Sequence, residues 1–215
     1  MRLIIARSRV RVSPTPRKGC RYDALLGMAD YERHPIYTVG YGSRSIGEFV
    51  DLLRVHGIEY LIDVRTSPRS RYRPEFSQVS LARVLECSGI QYVFMGDTLG
   101  GRPTSKRLYT SGRVDYAKVA ASESFRRGLE ALLRGYYIGC RSVLMCSELK
   151  PERCHRSKLI GVVLEEEGIT IRHIDEDGEL RTSEEVLVGR LAKWQGSLFG
   201  GPRSFSRKVT LPEDH

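Results

Sequence analysis

No stretch of this 215-residue chain reaches the roughly 18 consecutive apolar residues that a membrane-spanning helix needs. The apolar clusters are short and broken by charge, which excludes that class of architecture. The N-terminal segment also lacks an uninterrupted apolar core of signal-peptide length, which argues against secretion. No internal repeat is present, so solenoids and propellers are set aside. Cysteine is sparse. Cys20, Cys87, Cys140, Cys146 and Cys154 are odd in number and irregularly spaced, which is no disulfide framework. Free thiols in a reducing, cytoplasmic compartment are expected instead. What remains is the composition of a soluble globular protein, 40% hydrophobic and 28% charged.

Acidic residues are scarce in one place only. The net charge of +9 invites a nucleic-acid reading. Residues 1–27, however, hold seven basic side chains against the single acid Asp23, and so contribute +6. Residues 28–215 carry the remaining +3 and are only mildly basic. Residues 1–34 are therefore expected to be a basic, disordered tail, or to contain a mis-called start with Met28 as the true first residue. The globular pattern is placed at 35–194, and 195–215 is expected to be a flexible tail.

Hydrophobic patterning alternates strand and helix. Ile36–Val39, Tyr60–Val64, Ile90–Phe94, Ser142–Met145 and Ile169–Ile174 read as strands. Ser45 and Glu48 form a capping box ahead of a helix that stops at Gly57. Further helices are expected at Val79–Cys87, around 115–121 and 123–134, at Cys154–Glu167, and from Thr182 to about Trp194. Residues 66–78 and 96–113 read as long polar loops, and 147–153 as a turn. Every strand-to-strand connection is long enough to hold a helix. This predicts an α/β, Rossmann-like fold with a mostly parallel sheet and helices on both faces. In such sheets ligands bind beyond the carboxyl ends of the strands.

The residues that could carry chemistry fall at those ends. Cys146-Ser-Glu148-Leu-Lys-Pro151-Glu-Arg-Cys154-His155-Arg156 follows a strand and opens a helix. Unpaired backbone N–H groups and a guanidinium there favour an anion and lower a thiol's pKa. Cys146 or Cys154 is a candidate nucleophile, and Glu148, His155 or Asp63 a candidate for proton transfer. A buried core thiol at Cys146 is the plainer alternative. Asp63-Val-Arg65 leads into a loop with Arg69, Arg71 and Arg73. Arg65, Arg71 and Arg156 are expected to bind phosphate, and Arg69 and Arg73 to be surface. Gly40, Tyr41, Gly100 and Gly101 complete the expected substrate-binding set, the glycines by letting backbone approach a ligand. Cys146, Cys154, His155 and His173 match no common zinc spacing, and adjacent Cys154 and His155 should point apart on a helix, so no metal or cofactor is expected. The interval from Cys146 to Arg153 or Arg156 is also longer than the Cys-to-Arg loop of tyrosine-phosphatase-like enzymes.

Taken together, Thr38-Val39-Gly40-Tyr41-Gly42-Ser43, Asp63-Val64-Arg65, Pro68, Ser70-Arg71, Pro74, Phe76, Leu99-Gly100-Gly101, Cys146-Ser147-Glu148, Pro151 and Cys154-His155-Arg156 resemble the domain of unknown function 488 family. The resemblance spans about residues 36–175 and implies a Rossmann-like α/β fold. The family supplies no reaction, so function rests on the residues themselves. They point to a Cys-dependent enzyme acting on a nucleotide or nucleic-acid substrate. Two alternatives stand beside it. One is a thiol redox sensor using Cys146 and Cys154. The other is a non-catalytic, DNA-repair-associated module. Gln195-Gly-Ser-Leu198-Phe199 is similar to the peptide by which bacterial repair proteins dock on the sliding clamp. A helix end that packs Leu198 and Phe199 onto the domain would explain the same residues.

Overall fold

A computed structural model of the protein describes residues 33–188. The two terminal segments read as tails lie outside them, except Arg33 and His34 at the first boundary. So do the clamp-like residues Gln195, Leu198 and Phe199.

Six strands form one sheet in the order β3-β2-β6-β1-β7-β8. They are β1 (Ile36–Gly40), β2 (Tyr60–Asp63), β3 (Gln91–Phe94), β6 (Ser142–Cys146), β7 (Ile171–Ile174) and β8 (Leu180–Arg181). The first five are mutually parallel, while β8 pairs with β7 antiparallel, with His173 opposite Arg181. The mostly parallel α/β architecture expected from the alternating pattern is therefore present. The sequence pattern gives no sign of β8, since two residues carry no periodic signal.

Both faces of the sheet are buried, and the pleat sends alternate residues to opposite sides. On one side Val39, Leu61, Val143 and Met145 pack with α1 (Ile46–Val55) and α2 (Gln78–Cys87) through Phe49, Leu53, Leu81 and Leu85. On the other, Ile62 and Leu144 pack with α3 (Tyr116–Ala121), α4 (Glu123–Tyr137) and α5 (Val162–Glu166) through Val119, Phe125, Leu132 and Leu164. The Ser45–Glu48 capping box starts α1 as expected, with both reciprocal hydrogen bonds formed.

This layout creates a crevice. Helices α1 and α2, which follow β1 and β2, lie on one face, whereas the connection leaving β6 lies on the other. β6 sits between β1 and β2, so the chain parts at its carboxyl end. The loop leaving β6 is tied to the one leaving β1, where Tyr41 N–H donates to the Cys146 carbonyl at 3.1 Å and Gly42 N–H to that of Ser147 at 3.2 Å.

Two details depart from the sequence reading. The 96–113 loop ends in a small hairpin, β4 (Tyr109–Thr110) against β5 (Arg113–Val114). Its central residues Ser111 and Gly112 both have positive φ, the geometry of the tight turns that suit strand twist. The helix expected from Cys154 begins instead with a π-helical turn, Arg156–Gly161, after an extended Cys154. The last helix is present from residue 183 to the edge of the described residues.

Gly40 lets the loop after β6 cross the end of β1. A Cβ there would lie 2.0 Å from the Glu148 carbonyl oxygen and 2.6 Å from the Leu149 Cα, both backbone atoms. Gly40→Ala should therefore lower stability by about 1–3 kcal/mol through overpacking, seen as a reduced denaturant midpoint with unchanged slope.

Candidate active site

The crevice is a cleft of about 860 Å³, within the range of small-molecule sites. Tyr41, Arg65, Arg69, Gly101, Arg102, Glu148, Arg153, Cys146, Cys154 and His155 are among its walls, from five separate stretches of chain.

Cys146, Cys154 and His155 are all buried, and their sulfur and ring-nitrogen atoms lie within 4.8 Å of one another. Cys146 closes β6. Cys154 and His155 lie at the far end of the following loop, where the extended backbone of Cys154 turns both side chains to one place. His155 Nδ1 is 3.5 Å from Cys154 Sγ. The expectation that these neighbours point apart assumed a helix starting at Cys154, which does not form there. His155 Nε2–H donates to the Val64 carbonyl at 3.1 Å. That bond leaves Nδ1 as the nitrogen facing the Cys154 sulfur. Gly101 packs against this ring, and a Cβ there would meet it at 2.6 Å.

Arg156 is 0% exposed and lies behind Cys154 rather than in the cleft. Its Nε–H donates to Cys154 Sγ at 3.1 Å, one amine reaches the Glu148 carbonyl, and the other donates to Thr38 Oγ1 at 3.5 Å. Thr38 is also 2.8 Å from His173 Nδ1, and His173 Nε2 is 3.2 Å from Ser183 Oγ. Burial and then the charge of Arg156 push the His173 imidazole down to about 4, so it stays neutral near pH 7. Arg156 makes no ion pair with a carboxylate among the described residues.

The two thiols respond in opposite directions. The hydrogen bond from Cys146 stabilises the Cys154 thiolate, and the charge of Arg156 adds to it. Together they outweigh burial and bring Cys154 down to about 5. Donation of that same hydrogen bond, followed by burial, pushes Cys146 up to about 11. One thiolate and one thiol therefore sit side by side at neutral pH.

Asp63 and Arg65 form a second buried unit. Arg65 Nε lies 2.9 Å and NH2 2.6 Å from the carboxylate, and NH2 also donates to the Phe76 carbonyl at 2.9 Å. Tyr92 O–H donates to Asp63 at 2.7 Å. Burial opposes the charge of Arg65, but the bonds to Asp63 prevail and hold the guanidinium above its ordinary value. The guanidinium lies over the Tyr41 ring, 5.4 Å from its centroid, and that ring stacks on Phe76 at 4.2 Å. Its third nitrogen, NH1, is buried and has no hydrogen-bond partner among the described residues.

The remaining sequence candidates separate by position. Asp63 is 0% exposed beneath Arg65, outside the cleft lining. Gly40 supports the loop, and Gly100 lies against the Gly96 carbonyl. Arg71 is exposed and away from the cleft, whereas Arg69, read as surface, lines it. Arg73 is occupied with the Gly42 and Arg44 carbonyls and Glu75. Arg153, Tyr116 and the Thr38–His173 pair carried no spacing signal that marked them for a site. Cys146, Cys154 and His155 are donors suited to a soft cation such as zinc, while His173 is not part of that group. Arg156, already donating to Cys154, places a fixed positive charge against a cation.

Because the folded pKa of Cys154 lies below the ordinary thiol value, its thiolate persists as pH falls and is lost only on passing through about 5. Iodoacetamide labelling of Cys154, followed by peptide mass mapping, should show a half-point near that pH. In unfolded chain it should move to about 8.5. A folded-state half-point near 8.5 would remove the thiolate.

Comparison with known proteins identifies no curated protein and no solved structure that matches the chain. A family model does match. It is described as "Domain of unknown function DUF488" and covers residues 45–163, more than half of the chain, from the cap of α1 to the start of α5. The capped first helix, the buried Asp63–Arg65 unit and the whole Cys146–Arg156 segment fall inside that span, and the chain belongs to the DUF488 family.

Proposed function

We propose that the protein is a cysteine-dependent enzyme acting on a phosphate-bearing substrate, of the nucleotide or nucleic-acid class, with Cys154 as its nucleophile. The observation that carries this reading is the Cys154 sulfur, bonded from behind by buried Arg156 at 3.1 Å and facing a cleft that four other arginines line. A thiolate is the reactive form of cysteine, and a positioned positive charge sustains it. Arg65, Arg69, Arg102 and Arg153 offer fork-shaped donors suited to phosphate oxygens. Arg65 Nη1, buried and without a partner among the described residues, is the donor left for a ligand. Among the described residues Glu148 is the only carboxylate in the lining, so this wall is net positive.

In this reading Arg65, Arg69 and Arg102 hold the anionic group while Cys154 attacks the electrophilic centre. The bond from that centre to its leaving group breaks, and the leaving group departs with the bonding electron pair and is protonated from water. His155, fixed by the Val64 carbonyl, carries protons to and from the reacting groups through Nδ1. Asp63 and Arg156 are positioning residues, one for Arg65 and the other for the thiolate. Pyrophosphate at roughly ten times its dissociation constant should slow Cys154 alkylation at pH 6 by about tenfold, as simple competition requires. Arg69→Ala and Arg102→Ala should each weaken that protection without changing the labelling rate of the free protein. Labelling that ignores pyrophosphate and nucleotides at millimolar concentration would overturn the assignment of substrate class.

A second reading is supported by the sequence of the C-terminal segment alone, where Gln195, Leu198 and Phe199 stand in the order of a sliding-clamp-binding peptide. A peptide covering 193–201 should bind a bacterial clamp, and Leu198→Ala with Phe199→Ala should abolish binding. No binding at high micromolar peptide would end this reading.

A further inference from the structure

We infer that Cys154 and Cys146 form a reversible disulfide in the wall of the cleft, Cys154 being the thiol that a hydroperoxide oxidises and Cys146 the thiol that resolves it. The inference shares its thiolate with the proposed nucleophile but needs no phosphate-bearing substrate.

Three features of the site support it. The two sulfurs lie within 4.8 Å, so a modest approach closes the bond to about 2.05 Å. Cys154 stands in extended conformation (φ −99°, ψ 151°) between the 3-10 turn Pro151–Arg153 and the π-helical turn that starts at Arg156. Its sulfur can therefore move without breaking a strand or a helix. Finally, Arg156 Nε–H and His155 are already placed at the sulfurs, one to sustain charge and the other to carry a proton. Such an arrangement is absent at the other described thiols. Cys87 is exposed at the end of α2, and Cys140 lies before β6, at the opposite end of that strand.

The chemistry balances as two steps. The Cys154 thiolate attacks the terminal oxygen of the hydroperoxide, the O–O bond breaks, and the departing alkoxide or hydroxide takes a proton from water. Cys154 becomes a sulfenic acid. The Cys146 thiol then gives its proton to His155 and its sulfur attacks Cys154. The S–O bond breaks, and the leaving hydroxide collects that proton as water. Two thiols lose two electrons, the peroxide gains two, and a thiol reductant reverses the change by exchange.

The test is performed on the full-length, reduced chain with an equimolar amount of hydrogen peroxide, followed by alkylation and mass mapping. The expected product joins the peptides of Cys146 and Cys154 and is reopened by dithiothreitol. In Cys146→Ser the sulfenic acid on Cys154 should accumulate and be trapped by dimedone. Cys154 oxidised while Cys146 remains alkylatable in the wild-type chain would overturn the inference, whether or not the variant folds. Thiols that resist both reagents until a chelator is added would overturn it in favour of a bound metal. A chain that forms the link but is not protected by pyrophosphate keeps the disulfide and loses the substrate reading. Protection without the link does the reverse.

Discussion

The buried guanidinium of Arg156 is the constraint around which the site is arranged. A charge removed from water carries a desolvation penalty of several kcal/mol unless it is bonded and neutralised. Arg156 is completely covered, and its hydrogen bonds run to a sulfur, a hydroxyl and a carbonyl. Of these only Cys154 can become an anion. The charge of Arg156 and the ionisation of Cys154 are thus one problem with one solution: each makes the other tolerable. His173 shows the same field from the other side, since it is held neutral where a second cation would be intolerable. The chain from Arg156 through Thr38 to His173 and Ser183 links the π-helical turn to two strands, β1 and β7, and the last described helix. The orientation of the guanidinium is therefore set by the sheet itself.

The arginines of this chain divide by what they are bonded to. Arg44 caps the carbonyls of Gly40, Asp175 and Glu176, and Arg73 those of Gly42 and Arg44, so both are occupied in holding loops. Arg65 is divided within itself: two nitrogens are committed to Asp63 and Phe76, and the third is buried with no partner among the described residues. A guanidinium fixed on two sides is preorganised on the third, because little side-chain entropy remains to be lost when a ligand binds. Arg69, Arg102 and Arg153 lack that support and supply field rather than fixed geometry.

Much of this was legible in the sequence, and what was not has identifiable physical causes. The parallel strands announce themselves because burial on both faces demands continuous runs such as Ser142–Met145. The first helix does so through Ser45 and Glu48, whose signal is local. β8 and the Ser111–Gly112 hairpin are two-residue pairings, which no periodicity can reveal. That Cys146 to Arg156 follow a strand end is readable in the sequence, but the meeting of Cys146, Cys154 and His155 is not. The direction of Cys154 and His155 depended on one residue staying extended before a π-helical turn, and propensity does not report that. Arg69 and Arg71 are the sharpest case. They sit two apart in a loop with no repeating geometry, and only the tertiary path decides that Arg69 faces the cleft and Arg71 the solvent.

The field that sustains the Cys154 thiolate would also shape the chemistry of the proposed disulfide. A thiolate stabilised below the ordinary thiol range is a better leaving group and, atom for atom, a weaker nucleophile. In a Cys146–Cys154 disulfide, an incoming thiol that attacks Cys146 expels Cys154 into its bond with Arg156. The reduced state is then favoured over that of an unassisted pair, as it is wherever one partner's thiolate is selectively stabilised. A structural disulfide has the opposite need, so this pair is suited to being opened. Nucleophile and redox centre do not compete for the design of the site. Both proposed roles rest on one sulfur placed against an arginine that, among the described residues, faces no other anion.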